Sequence, residues 1–157
     1  LIGPIFGNPE PGKAYDIQDC AYAVIPDGKG MLGVVKTPKG IMLVGGGVER
    51  GETGQGALCR EAIEETGCPV KIVSRLGIAT QYVNNRTKNK YRLKRAVFFI
   101  AEIQHQTTAP IDLDHEFMWM PALKVVDSLV RPFHRWAAQH SLEIAIRKSG
   151  IMDDFNY

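Results

Sequence analysis

The chain has 157 residues, 45% of them hydrophobic and 23% charged, the balance of a globular domain rather than of a disordered chain. Nineteen basic residues against seventeen acidic ones leave a net charge of +2, too little for bulk charge to argue for a nucleic-acid or membrane partner. No stretch approaches the ~20 apolar residues of a membrane helix, and Cys20, Cys59 and Cys68 fit neither a disulfide framework nor a zinc site, so a reducing, cytoplasmic location is expected.

This length predicts one domain over residues 1–157. The sequence opens at Leu1 rather than methionine, as a trimmed N-terminus would, and its first residues show no signal-peptide pattern. Residues 1–16 read as an extended arm, because glycine and proline are dense in the first twelve. A first strand is expected over Cys20–Ile25, closed by the Pro26-Asp27-Gly28 turn. Met31–Lys36 and Ile41–Val44 read as two more strands around a Lys39-Gly40 turn, and Gly45-Gly46-Gly47 then reads as a break.

From Thr53 to Thr66 the pattern turns helical, with Leu58, Ala62 and Ile63 as the buried stripe and Gly67 as the C-terminal cap. Strands are expected at Val70–Arg75, Ile78–Val83 and Tyr91–Ile103, with a polar turn over Asn84–Lys90. Thr107–Asp114 reads as a loop and Phe117–Met120 as a short strand. Pro121 then opens a helix to Leu129, and Pro132–Lys148 reads as a longer one, with Phe133, Trp136, Ala137 and Ile144 at helical spacing.

One segment carries chemistry. It runs Gly46-Gly47-Val48-Glu49-Arg50-Gly51-Glu52 and then, after seven residues, Arg60-Glu61-Ala62-Ile63-Glu64-Glu65-Thr66-Gly67-Cys68. On a helix Glu61, Glu64 and Glu65 lie within one narrow face. Oxygen donors facing one way suit a hard cation such as Mg²⁺. A glutamate-rich helix face is by itself more often simply solvated, since like-charge pairs at these spacings cost only ~0.2–0.5 kcal/mol.

The full spacing resembles the Nudix box, G-x5-E-x7-R-E-U-x-E-E-x-G-U, with U a bulky apolar residue. Gly46, Glu52, Arg60, Glu61, Glu64, Glu65 and Gly67 match its fixed positions, while Ala62 and Cys68 are small where the pattern prefers bulk. At ordinary residue frequencies a chance match in this chain is on the order of one in a million, which outweighs the solvated-face reading. The resemblance implies an α/β fold: an α/β/α sandwich with a mixed central sheet and a catalytic loop-helix-loop. It implies Mg²⁺- or Mn²⁺-dependent hydrolysis of a nucleoside diphosphate linked to another group, a nucleoside triphosphate first, as in MutT-like enzymes. It implies Glu61, Glu64, Glu65 and the Gly45 carbonyl as metal ligands and Glu61 or another acid as base. Glu52 and Arg60 are implied as supports of the loop and helix, and Gly46 and Gly67 as structural. A Nudix-fold nucleotide sensor without catalysis is the alternative.

Downstream loops in relatives often supply a further acid. Glu116 is the candidate, with Asp112 and Asp114 as its neighbours and competitors. Residues 86–95 carry Arg86, Lys88, Lys90, Arg92, Lys94 and Arg95 and no acid. Arg92 and Lys94 share a strand face and are the candidates to grip a polyphosphate; an exposed, soluble hairpin is the competing reading. Tyr82, Tyr91, Phe98 and Trp119 are read as core before base-stacking residues, and Met118 and Met120 as core filler. The expected partner is a small nucleotide; nucleic acid is expected only as RNA 5′ ends, and no RNA-binding motif is present.

Overall fold

The structure, a computed structural model, describes residues 3–150. Its strands are β1 (Ile5–Phe6), β2 (Asp16–Pro26), β3 (Met31–Thr37), β4 (Gly40–Met42), β5 (Val44–Gly47), β6 (Val70–Asn85), β7 (Lys90–Ile103) and β8 (Glu116–Pro121). Its helices are α1 (Gly54–Thr66), α2 (Ala122–Ser128) and α3 (Pro132–Lys148). The sheet runs β1-β6-β7-β2-β3-β4, with β5 added to β2 and β8 to β3. It is mixed: β1·β6 and β2·β7 are parallel and the other pairs antiparallel.

Strand β2 explains the layering. Its Cys-Ala-Tyr-Ala-Val-Ile run is buried on both faces, as a central strand must be. Cys20, Tyr22 and Val24 point into one core with Phe98, Phe133 and Ala137. Ala21, Ala23 and Ile25 point into a second core with Leu58 and Ala62 of α1. Period two thus sends alternate residues to α3 and to α1. Small side chains on both partners let α1 lie close against the sheet. Ala57 takes a fully buried place in this contact, whereas Ile63, expected there, is only half-buried.

Differences from the expected elements have local causes. The residues from Ile41 to Val44 are split between β4 and β5, which pair with different strands. At the split, the Leu43 N–H leaves the ladder and donates to His134 Nδ1 at 3.2 Å. Gly45-Gly46-Gly47 is not a break but part of β5, paired with Cys20–Tyr22. A Cβ at Gly45 would run into the Ala21 carbonyl and Tyr22, and its φ of +139° suits glycine alone. The two strands expected between Val70 and Val83 are one strand, bulged between Ile72 and Ser74 and again between Arg75 and Gly77.

Strand β2 begins at Asp16 because its polar first residues are held in register with Arg92–Arg95. The arm folds back on its own chain: β1 pairs with β6, the Tyr15 hydroxyl donates to Asn84 at 2.6 Å, and Arg86 pairs with Glu10 at 2.8 Å. Phe98, Met118 and Met120 pack into the core as expected. Tyr82 and Tyr91 meet Tyr15 edge-on, and Trp119 lies half-exposed against Phe117.

Candidate active site

Helix α1 is fixed at both ends. The Thr53 hydroxyl accepts the Gly56 N–H at 3.0 Å, capping the first turn. Gly67 ends the helix in the left-handed conformation, and its N–H donates to the Ile63 carbonyl at 2.9 Å. Loop 104–115 then closes over this end. Thr107 N–H reaches the Gly67 carbonyl at 2.9 Å, and Ile111 and Asp112 N–H both reach the Glu64 carbonyl, at 2.8 and 3.0 Å. These bonds satisfy carbonyls the helix leaves open, and they deliver Asp112 to the glutamate face.

There, Glu61, Glu64 and Asp112 each bring a carboxylate oxygen within 4.8 Å of the other two. All three donors are carboxylate oxygens on half-buried residues, the hard donor set that Mg²⁺ and Mn²⁺ take. Sequence reasoning named Asp112 only as a competitor to Glu116. Glu116 stands outside the group, exposed at the start of β8 opposite Lys36. The signal that separates the two is the backbone bonding to Glu64, which spans 48 positions and leaves no local pattern.

Arg60 ties the assembly together. Its Nε and one terminal nitrogen take both Glu52 oxygens at 2.9 Å, and that same nitrogen donates to the Gly47 carbonyl at 2.9 Å. Its other terminal nitrogen bridges Glu61 and Glu64 at 3.2 Å each. Bidentate pairing of this kind fixes geometry as well as charge. Hydrogen bonding to Arg60 in turn holds the Glu52 carboxyl below its usual range, helped by the Glu49 N–H. Glu61 is pushed up by burial, against the pull of Arg60.

Glu65 is buried and stands outside the group of three. It is 4% exposed. Its Oε1 accepts the Gly45 N–H at 2.8 Å, and its Oε2 lies 3.7 Å from His115 Nε2. Burial pushes its carboxyl up to about 8, opposed by the Gly45 N–H and reinforced by Glu61, Asp112 and Glu64. Gly45 can reach Glu65 because of its place in the ladder. Val48 N–H bonds Asp19, so by alternation the Tyr22–Gly45 pair is non-hydrogen-bonded and the Gly45 N–H and C=O point away from β2. Gly46 faces the other way: a Cβ there would sit 2.5 Å from Glu61 Oε1.

Arg92 and Lys94 do share a face, and both line a cleft of about 710 Å³ beneath the β6–β7 hairpin. Lys94 pairs with Gln18, and Cys20, two residues on, pairs with Gly47. At ~4.8 Å per strand, β7 and β5 are about 10 Å apart. The Cys20 thiol, raised mainly by burial, feels both Lys94 and Glu61, and β2 lies between the strand that carries Lys94 and the strand on which Glu61 packs.

The NUDIX domain family matches residues 17–141 of the chain. The fold is similar to a NUDIX hydrolase from Nitrosomonas europaea at 17% identity and a TM-score of 0.65, covering 82% of this chain and 90% of that one. A MutT protein from Methanosarcina mazei Go1 aligns at 20% identity with a TM-score of 0.62, over 84% and 98% of the two chains. A MutT NUDIX hydrolase from Burkholderia pseudomallei aligns at 21% and 0.59, over 80% and 98%. No curated protein matches the chain.

Proposed function

The chain belongs to the NUDIX family, hydrolases of phosphoanhydride bonds, and from that premise we propose a metal-dependent pyrophosphohydrolase acting on a nucleotide, first a nucleoside triphosphate. The convergence of Glu61, Glu64 and Asp112 on one point carries this reading. These three, joined by the outward-facing Gly45 carbonyl, would hold Mg²⁺ or Mn²⁺. Glu65 serves that set by fixing Gly45. A divalent cation held there would supply charge neutralisation at the diphosphate oxygens and would make the attacking water more acidic.

The protein's own groups do the rest. Arg60 keeps Glu61 and Glu64 from splaying apart and locks the Gly47 carbonyl. Water adds to one phosphorus in line with the leaving oxygen. Its proton passes to Glu61 or another carboxylate of the group, a step worth ~10²–10⁴-fold. The anhydride P–O bond breaks, releasing phosphate or nucleotide. Arg92 and Lys94 hold the anionic substrate from the cleft side. The residues act as one domain in a reducing, cytoplasmic setting, which its three free cysteines suit.

The test is a hydrolysis panel of nucleoside triphosphates, nucleotide sugars and dinucleoside polyphosphates, with Mg²⁺ and separately Mn²⁺, and products resolved by chromatography. Turnover lost in Glu64→Gln supports the reading. Tight nucleotide binding with no turnover of any compound would replace it with a nucleotide sensor.

A further inference from the structure

The basic cleft, across β2 from the strand on which Glu61 packs, is built from separate segments: the β3–β4 turn, the β6–β7 hairpin, the first half of β7 and the residue that precedes α3. They bring Lys39, Lys88, Lys90, Arg92, Lys94 and Arg131 to one wall, without a carboxylate or an aromatic side chain among the lining residues. Arg86, also there, is already paired with Glu10. Among the described residues none of the other six stands in an ion pair.

These cations crowd one another. Burial, then repulsion from Arg131, Lys88 and Arg92, pulls the Lys39 pKa down. Burial does the same to Lys94; Cys20 opposes it, and Arg131, Lys39 and Arg92 add to it. Among the described residues Arg131 Nε is buried without a partner, a donor that has lost water and gained no acceptor. Arg131 also precedes the 17-residue α3, whose first turn holds no acidic residue, so the helix dipole adds positive potential. Each of these costs is relieved by anionic oxygens in the cleft.

The size of the charge narrows the ligand. A nucleoside triphosphate carries about −4, and one divalent cation reduces that to about −2. Six unpaired cations exceed it, and without an aromatic platform the cleft has little grip on a base. Building on the pyrophosphohydrolase reading, we propose that the cleft receives the group beyond the scissile linkage, and that this group is phosphate-rich. The substrate class is a nucleoside tetraphosphate or dinucleoside polyphosphate, in preference to a nucleotide sugar.

The test compares kcat/KM, with Mg²⁺, for a nucleoside diphosphate sugar, a triphosphate, a tetraphosphate, a dinucleoside polyphosphate and 5′-triphosphate RNA. The tetraphosphate-to-sugar ratio is expected to exceed about 100. Lys39→Gln combined with Arg131→Gln lowers that ratio about tenfold or more, as loss of charged hydrogen bonds predicts. Lys71→Gln, one positive charge removed at the far end of β6, leaves the ratio in place. Calorimetry with inorganic tripolyphosphate, without metal and at two salt concentrations, reads the cleft independently of turnover. Salt-sensitive binding weakened in the double variant supports the cleft even if no compound is hydrolysed, an outcome that removes only the enzymatic reading. Turnover of nucleotide sugars as fast as tetraphosphates, with the ratio unmoved by the double variant, overturns the cleft and leaves the enzymatic reading standing. Turnover confined to the RNA overturns the small-molecule assignment.

Discussion

Gly46→Ala separates the placement of Glu61 from the stability of the fold. Gly46 lies in β5 opposite Ala21, and its φ is outside the region that only glycine tolerates. Alanine therefore suits the backbone, and stiffening the unfolded chain favours the variant by ~0.4–1 kcal/mol. The added methyl meets one obstacle, the Glu61 carboxylate, with Oε1 at 2.5 Å and Cδ at 2.6 Å. Ordinary contact begins near 3.4 Å, so the carboxylate must retreat by about 0.9 Å. Arg60 resists on the other side at 3.2 Å. A displacement near 1 Å at a reacting centre costs on the order of 10²-fold. We therefore expect kcat to fall about a hundredfold under saturating Mg²⁺, while the urea midpoint moves by less than a 1 kcal/mol change would shift it. Paired turnover assays and urea titrations of wild type and variant check both halves. Wild-type turnover in a folded Gly46→Ala protein would refute the idea that the Glu61 carboxylate works from this position.

Asp112→Asn should lower kcat by about 10²-fold or more, whereas Glu116→Gln should change it less than twofold, because only Asp112 joins Glu61 and Glu64; steady-state kinetics of the two variants side by side decide it. Arg60→Lys keeps the charge but loses the fork to Glu52 and Gly47, so a kcat drop of about tenfold or more is expected even at saturating metal. Burial holds the His134 pKa well below its ordinary value, so below pH ~6.5 the unfolded chain binds a proton the folded one refuses. That term then destabilises the fold by ~1.4 kcal/mol per pH unit as pH falls. His134→Gln retains an acceptor for the Leu43 N–H and should abolish this slope relative to wild type in urea melts between pH 7 and 5. Tyr15→Phe removes the hydroxyl that joins Glu10 to Asn84; we expect a loss of ~0.5–1.5 kcal/mol and faster amide exchange in the β6–β7 hairpin.

What could be read from the sequence divides along physical lines. The spacing of Glu61, Glu64 and Glu65 is a property of one helix, so a common face was legible from the pitch alone. The α3 span was legible for the same reason: Pro132, Phe133 and Ala137 encode its start and its buried stripe locally. Glu65 shows where that logic stops. It shares the face by angle, yet β5 packs beneath it and offers the Gly45 N–H, and a buried carboxylate takes the donor within reach. Asp112 shows the complement. Nothing in the Thr107–Asp114 stretch announces a partner for Glu64. The open carbonyls at the end of α1 recruit that loop, and the acid arrives with it. The β4–β5 split at Leu43 has the same character, since its N–H is claimed by His134, 91 residues away.

The basic residues make the argument in its sharpest form. In sequence, residues 86–95 look like one run of charge on a hairpin, and a soluble hairpin explains such a run without function. Folding takes the run apart. Arg86 is neutralised by Glu10 and Arg95 by Asp19, each a pairing across 76 positions. Among the described residues Lys88, Lys90, Arg92 and Lys94 stand in no ion pair, and they are joined by Lys39 and Arg131 from elsewhere in the chain. Lys39, Lys88 and Lys90 keep their contact with water, while Arg92, Lys94 and Arg131 are half-buried, which solubility alone does not call for. The fold gathers these charges around a cleft and, among the described residues, buries Arg131 Nε with no acceptor, while β2 separates β7 from the strand on which Glu61 packs. Opposed fields on the two sides of β2 suit a ligand that is anionic along its length and meets the acid group only with a cation between them.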